Sequence, residues 1–160
     1  MKRGGGPPCE LSVEIANKEN AMATMTAAER EKFLAEIRFG YLTTLTSDGA
    51  PRTVPVWYDW DGHIVKIFTN IGSPKVKRIQ RDPRVTLLVA NDLNENEAWV
   101  SFDGTAEIRM EGGVELIEKL AERYWNLSDP NRQAMLNGMK AASGLWCIIE
   151  WMPTQIRTYR

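Results

Sequence analysis

Two Asp-Gly pairs in the first half of the chain constrain its fold most strongly. Asp48-Gly49 and Asp61-Gly62 each separate short runs that are rich in Val, Ile, Thr and aromatic residues. Asp-Gly is a strong hairpin signal because glycine adopts a positive φ with little steric cost. The spacing therefore predicts three consecutive antiparallel strands, at residues 41–46, 52–59 and 63–69.

The same kind of pattern returns later in the chain. It predicts further strands at residues 84–91, 98–109, 145–150 and 155–159, with a bulge or bend at Asp103-Gly104 in the second of them. Helical signals fall in the connections. They predict four helices. The first begins at Thr26 and stops by Gly40, and the second begins at Ser73 and stops before Asp82-Pro83. The third spans residues 114–124, and the fourth begins at Pro130.

Hairpin-linked strands with helices confined to a few connections are typical of an α+β domain built on an antiparallel barrel. Residues 25–160 form this domain in our interpretation. Residues 1–24 combine Gly, Pro and polar residues with little periodicity, so we expect them to be a flexible N-terminal extension.

Composition excludes several classes of function. The 20 basic and 21 acidic residues give a net charge of −1, so no overall field attracts nucleic acid or an anionic membrane. The two cysteines, Cys9 and Cys147, make no disulfide framework, which favours a reducing cytoplasm. The charged start of the chain is followed by no apolar stretch, so we expect a soluble protein rather than a secreted or membrane-spanning one.

The strongest local signal for a ligand site is the segment 69–75, Thr-Asn-Ile-Gly-Ser-Pro-Lys. A strand end, a glycine-containing turn and a helix start at Ser73-Pro74 should bring several free backbone N–H groups together. Such a helix start favours phosphate, and Ser73, Thr69 and Lys75 would add donors and a charge. An ordinary helix cap with a solvated lysine is the alternative interpretation of these residues.

Arg52 and Pro55 extend this picture along the preceding strand. A hairpin between strands 52–59 and 63–69 would place Arg52 beside the strand end at Phe68-Thr69, although a surface arginine is the alternative. Pro55 removes a backbone donor and is tolerated mainly at a sheet edge. The backbone from Thr53 to Val56 could therefore line a flat ring, and a plain edge strand is the alternative.

Other chemistry has little support in the sequence. The basic run from Lys75 to Arg84 is interpreted as mostly solvent-facing charges balanced by nearby acids. His63 is the only histidine, so no multi-histidine metal site is expected and the metal prediction is none. No catalytic side chain is assigned, and a bound cofactor would carry any redox chemistry. Of the six tryptophans, Trp57 and Trp99 lie on strands near the expected ring site.

The segment 41–91 resembles the pyridoxamine phosphate oxidase-like flavin-binding family. The matching motifs occur in the family's order, and similarity continues more loosely to about residue 110. They are Ser47-Asp48-Gly49 followed by Arg52-Thr53-Val54-Pro55, then Ile67-Phe68-Thr69-Asn70, Ser73-Pro74-Lys75 and Asp82-Pro83-Arg84-Val85.

This resemblance implies an FMN-binding split β-barrel with a few peripheral helices, which forms a homodimer with the cofactor at the subunit interface. The residues that match the family's phosphate site are Arg52, Ser73 and Lys75, with Thr69 assisting. Thr53, Val54, Pro55 and Val56 would run along the isoalloxazine ring, and Phe68 and Trp57 complete the expected cofactor-binding set. Trp57 departs from the family, whose oxidases place a polar residue there.

A second departure lies at the C-terminus. True pyridoxamine phosphate oxidases carry an R-L-H-type substrate motif, whereas this chain ends Ile156-Arg157-Thr158-Tyr159-Arg160. We therefore expect an FMN-dependent oxidoreductase with a different small organic substrate. A reductase that uses a deazaflavin coenzyme is the alternative within the enzyme class, and a non-catalytic flavin-binding storage or sensor protein is the alternative outside it. A haem-binding relative is less favoured because His63 follows a hairpin turn.

Overall fold

The computed structural model describes residues 24–160, so the predicted N-terminal extension lies almost entirely outside the described residues. Four α-helices and nine strands follow one another along the described chain. The helices are α1 (Ala27–Ala35), α2 (Pro74–Arg81), α3 (Gly113–Tyr124) and α4 (Pro130–Ala141). The strands are β1 (Gly40–Leu45), β2 (Pro51–Val56), β3 (Asp59–Trp60), β4 (Val65–Asn70), β5 (Arg84–Ala90), β6 (Trp99–Thr105), β7 (Glu107–Arg109), β8 (Trp146–Trp151) and β9 (Gln155–Tyr159).

The strands form two antiparallel sheets. One has five strands in the order β2-β1-β5-β6-β9, and the other has four in the order β3-β4-β8-β7. Both bury their inner faces around one main core, in which Leu42, Ile67, Leu87 and Phe102 are fully buried. The two sheets pack around the core but do not join into a closed ring, which is the arrangement of a split barrel. The predicted α+β split barrel is therefore confirmed.

Two predicted strands divide between the sheets. The strand expected at 52–59 ends at Val56, and the chain crosses through the buried Tyr58 to β3 in the other sheet. The strand expected at 98–109 is interrupted at the buried Ala106, after which β7 joins the second sheet. Periodicity alone misses these crossings because the β-type residues continue through the corner.

Gly104 does not mark the predicted bulge. The ladder from β5 to β6 runs regularly through Asp103, Gly104 and Thr105. The glycine is required for another reason, since a Cβ at this position would lie 2.6 Å from Cδ1 of Trp151. Its role is close packing of the two sheets.

Helices α1, α2 and α4 begin at the predicted positions. Thr26 and Glu29 form the predicted capping box of α1, and Asp129 caps α4. Helix α1 ends at Ala35, however, well before the predicted stop at Gly40. Ile37 is not on the helix and is 62% exposed, because the chain is already extended from Glu36 onward. Within residues 24–160, no helix is both long and apolar enough to span a bilayer.

Candidate cofactor site

Helix α2 lies across one rim of the barrel, in contact with β1 and β7. Its buried face carries Val76 and Ile79, which pack toward the core. Two inward-facing hydroxyl groups lie at this rim, that of Thr44 near the end of β1 and that of Thr69 near the end of β4, and both residues are buried. The helix therefore brings its polar side chains against a rim that already contains buried hydroxyls.

The predicted phosphate residues of the segment 69–75 do come together. The Lys75 Nζ donates to Thr69 Oγ1 at 2.9 Å, and Thr69 Oγ1 donates to Ser73 Oγ at 3.3 Å. Ser73 is the N-cap of α2 by position, but its hydroxyl makes no capping hydrogen bond. Its Oγ is therefore available to a ligand at the helix start.

The backbone contributes fewer free N–H donors to this site than the sequence predicts. Gly72 N donates to Asn70 Oδ1 at 2.8 Å, and Ser73 N donates to the Asn70 carbonyl at 3.0 Å. Ile71 N is bonded to the Leu145 carbonyl, and Pro74 has no N–H. The expectation of several free amides is thus wrong, and the donors of this site are chiefly side chains.

The ammonium group of Lys75 is half-buried. Burial lowers the pKa of Lys75 from its ordinary value, and repulsion from Arg78 lowers it further. The thiol of Cys147 lies beneath it, with Sγ 3.6 Å from the Thr69 carbonyl oxygen, and burial raises the pKa of that thiol. A half-buried cation beside another cation fits a site that receives an anion.

Two arginines of α2 also face the rim. Arg78 Nε donates to Thr44 Oγ1 at 2.8 Å, and Arg81 Nη2 donates to the Leu45 carbonyl at 2.9 Å. Within residues 24–160, no carboxylate pairs with Lys75, Arg78 or Arg81. The interpretation of this run as charges balanced by acids is wrong for Lys75 and Arg78 and right for Arg84, which pairs with Asp82. Arg81 is exposed and attracts the same carboxylate without forming an ion pair.

Arg52 reaches this region by a route that differs from the predicted one. The hairpin between strands 52–59 and 63–69 does not form at Arg52, because β2 pairs with β1 and β4 belongs to the other sheet. Arg52 instead lies opposite Thr44, the residue that accepts the hydrogen bond from Arg78. The pairing of β2 with β1 thus brings Arg52 to the same rim.

Strand β2 is an edge strand, as the proline at position 55 suggested. Thr53 and Pro55 are exposed, whereas Val54 and Val56 are half-buried and face the opposite side. The backbone from Thr53 to Val56 therefore has an unpaired edge along which a flat group could lie.

Trp57 and Phe68 belong to an aromatic cluster on the side of helix α3. The Trp57 ring stacks on Tyr124 with centroids 5.0 Å apart and meets Trp125 edge-on at 4.8 Å. Phe68 contacts Trp57 and Trp146, both in edge arrangements at 5.9 Å. Both residues thus support β2 and β4 through packing, and a contact of either ring with a cofactor stays a prediction.

The outer face of the five-stranded sheet carries a groove of about 410 Å³. Trp99, which the sequence marked, stacks on Tyr159 at 6.1 Å on this face. Arg157 contacts Ser101 Oγ at 3.3 Å and Asp103 Oδ2 at 3.0 Å. The remaining residues that line the groove are Thr43, Thr86, Leu88 and Ala90.

Sequence reasoning did not assign Thr44, Arg78 or Arg81 to the site. The available signal was the spacing of Lys75, Arg78 and Arg81 at intervals of three, which places successive cations along one side of a helix. The pairing of Arg157 with Asp103 had no such signal, because it depends on the register of β6 with β9.

A sequence model of the pyridoxamine 5'-phosphate oxidase family matches residues 26–144. The chain belongs to this family. The family includes flavin-dependent oxidoreductases, so the resemblance drawn from the motifs is confirmed. No curated protein matches the chain.

Solved structures support the same fold. The conserved protein Rv2991 of Mycobacterium tuberculosis is 28% identical, with 86% of each chain covered and a TM-score of 0.67. A structure described as an F420 reductase is 25% identical, with 79% of this chain and 94% of that chain covered and a TM-score of 0.64. An FAD-binding protein of Mesorhizobium loti, 19% identical over 86% of this chain and 94% of that chain, has a TM-score of 0.58 and shows the fold alone.

Proposed function

We propose that this protein is an FMN-dependent oxidoreductase that acts on a small organic substrate, with the cofactor bound at the interface of a homodimer. The observation that carries the proposal is the position of Lys75 at the rim. Its Nζ approaches the buried hydroxyl of Thr69 with no carboxylate partner within residues 24–160, beside Ser73, whose hydroxyl does not cap its helix. An uncompensated cation and a hydroxyl that can still donate suit a phosphate group.

In this proposal Lys75, Arg52 and Ser73 hold the phosphate of FMN. Thr69 positions the ammonium of Lys75, since its Oγ1 accepts from Nζ and donates to Ser73. Bound flavin supplies the exchange of a hydride or electrons with a donor such as reduced nicotinamide and with an organic acceptor. The edge of β2 from Thr53 to Val56 orients the ring, and the protein contributes position and electrostatics rather than an acid or base of its own.

The outer face of the five-stranded sheet supports the homodimer. Phe39 and Tyr41 are 53% and 43% exposed, and Leu88, opposite Tyr41 on β5, is 37% exposed. Trp99 and Tyr159 extend this band to the far strand. A contiguous apolar and aromatic face of this kind is typical of a protein interface. A second copy that covers this face would also close the groove over β1, β5, β6 and β9.

A deazaflavin-dependent reductase is the second candidate. It is favoured by the likeness to the F420 reductase, which extends over 94% of that chain at 25% identity. The same cations would then hold the phosphodiester of the deazaflavin coenzyme.

The test is a parallel titration of the purified protein with FMN and with the deazaflavin coenzyme, followed by absorption and fluorescence. The proposal expects saturable FMN binding at one cofactor per subunit, a dimer in sedimentation, and reduction of the bound flavin by a nicotinamide donor. Exclusive binding of the deazaflavin coenzyme would replace the first candidate by the second.

Turnover separates enzyme from carrier. Bound FMN that is reduced by the donor and reoxidised by a small quinone or nitro compound supports the oxidoreductase. Bound FMN that no donor reduces would contradict the enzyme and leave a flavin-binding protein. Binding of neither cofactor would contradict both candidates.

A further inference from the structure

Three cations form a continuous ridge on α2. Lys75, Arg78 and Arg81, hereafter the basic ridge, follow one another at intervals of three, so their side chains are neighbours along one side of the helix. At the helical rise per residue the ridge extends about 9 Å along the axis. This is longer than the site of a single phosphate group requires.

Each member of the ridge contacts a different point of the barrel rim. The hydrogen bonds of the ridge go to Thr69 on β4, Thr44 near the end of β1, and the carbonyl of Leu45, the last residue of β1. The ridge thus runs along the rim from one sheet to the other. Its charges are held in place by neutral oxygens, and a ligand can approach them from the solvent side.

The polypeptide does not neutralise these charges. Within the part of the chain that the structure describes, neither the basic ridge nor Arg52 forms an ion pair. Two acids lie nearby. Asp48 accepts from Thr46 Oγ1 and Ala50 N in its turn and attracts Arg52 only at longer range. Asp82 is held by Arg84 and attracts Arg81 only at longer range.

One phosphate monoester carries a charge of about −1.5 to −2 at neutral pH. The basic ridge and Arg52 together carry four positive charges. A phosphate bound at Lys75 and Arg52 would therefore leave Arg78 without a counter-charge and Arg81 with only the longer-range attraction of Asp82. Repulsion between the neighbouring cations of the ridge would also remain in the complex. Arg78 exerts such a repulsion on Lys75, whose pKa it lowers.

We infer that Arg78 and Arg81 form a second anion-binding subsite. It receives a phosphate or carboxylate group other than the phosphate held at Lys75. The midpoint between the two arginines lies about 7 Å along the helix axis from Lys75. The second group therefore belongs either to a cofactor longer than FMN or to an anionic substrate bound beside the cofactor. This inference rests on the proposed function for the first phosphate only.

The experiment compares inorganic tripolyphosphate with orthophosphate by calorimetric titration of the full chain. Wild-type protein should bind tripolyphosphate at least about tenfold more tightly, which corresponds to one additional charge-assisted contact. The double variant Arg78→Gln/Arg81→Gln should lose this preference and keep its affinity for orthophosphate. Lys77→Gln removes one charge from an exposed position of the same helix and should keep both affinities.

Two results would overturn the inference: no preference for tripolyphosphate in the wild type, or an equal loss in Lys77→Gln, which would indicate net charge alone. Circular dichroism checks the fold of each variant. If the double variant does not fold, Arg81→Gln alone serves, since Arg81 is exposed.

A second arm separates the two sources of the anionic group. If the group belongs to the cofactor, the double variant weakens binding of FAD, which has a diphosphate, and not of FMN. If it belongs to a substrate, protein saturated with FMN still binds tripolyphosphate through Arg78 and Arg81. Failure of both patterns contradicts the subsite. Absence of flavin binding with a retained tripolyphosphate preference contradicts only the proposed function.

Discussion

Two clusters of charged residues lie at opposite ends of β1, and they are built differently. Arg38, just before the strand, is buried and pairs with Glu95 at 2.7 Å and Glu36 at 2.5 Å, with Asp92 at 3.9 Å. Its guanidinium also covers the Phe33 ring at 4.5 Å. The basic ridge at the other end has neutral oxygens as its partners.

The difference indicates what each cluster is for. The acids around Arg38 come from the end of α1 and from the loop between β5 and β6, so this ion-pair cluster holds two segments against β1. The basic ridge donates only to neutral oxygens, and neutral donors could make the same hydrogen bonds. A half-buried cation without a counter-charge has an electrostatic cost, which a bound anion would remove.

Replacement of a single arginine at either end should have unequal effects on stability. Arg38→Leu should lower the free energy of unfolding by about 2–3 kcal/mol, since it removes a buried group with several charged partners. Arg78→Leu should change it by less than about 1 kcal/mol, because the lost bond to Thr44 is offset by weaker repulsion within the ridge. Urea unfolding of both variants measures the contrast, and equal losses would remove it.

Alkaline pH should raise the stability of the free protein and lower the stabilisation that a bound anion provides. The pKa of Lys75 lies below 10.5, so the unfolded chain holds this proton more tightly than the folded one. Stability of the free protein should therefore rise as pH increases from the folded pKa to 10.5. Stabilisation by orthophosphate should fall over the same window, because the ammonium that binds it loses its proton.

Thermal unfolding with and without orthophosphate measures both trends. Lys75→Arg should retain phosphate stabilisation through this window, since arginine stays charged. Cys147→Ala is the control for the neighbouring thiol of Cys147. Burial raises the pKa of this thiol above 9.0. If the loss persists in Lys75→Arg and disappears in Cys147→Ala, the thiol and not the lysine is responsible.

Acid should affect the Arg38 end. Its guanidinium holds the pKa of Glu95 below 4.5, so the stability from this pair is present above pH 4.5 and is lost as pH falls through the lowered pKa. Glu95→Gln should be less stable than wild type at pH 6 and closer to it at pH 3. Melting temperatures across this range measure the convergence, and parallel curves would contradict a role for this carboxylate. The effect is the smallest of the three because the Glu95 side chain is 41% exposed, so solvent screens its charge.

The local part of the site was predictable from sequence, and the long-range part was not. Thr69, Ser73 and Lys75 lie within one strand end and helix start, so cap and turn chemistry place them together. The position of Arg52 depends on which strands pair with β2: the predicted pairing with β1 is confirmed, and the predicted pairing with β4 is wrong. The free amides were overcounted because the Asn70 side chain and carbonyl occupy two of them.

The fold class followed from the turns and the β-type runs, but the division into two sheets did not. The crossings at Tyr58 and Ala106 occur inside patterns that read as single strands. The Arg38 cluster was equally hidden, since Glu95 lies in a polar loop far along the chain and only the β1–β5 pairing brings it close. Such contacts depend on topology rather than on local pattern.

The central claim is that Lys75 at the α2 rim binds the cofactor's phosphate. Titration with FMN and with riboflavin, which lacks the phosphate, tests it most directly. The account predicts that wild-type protein prefers FMN, and that Lys75→Ala weakens FMN binding by about 1.5–3 kcal/mol and leaves riboflavin binding unchanged. Lys77→Ala should change neither affinity. Equal affinities for the two flavins in wild type, or an unchanged FMN affinity in Lys75→Ala, would contradict the account.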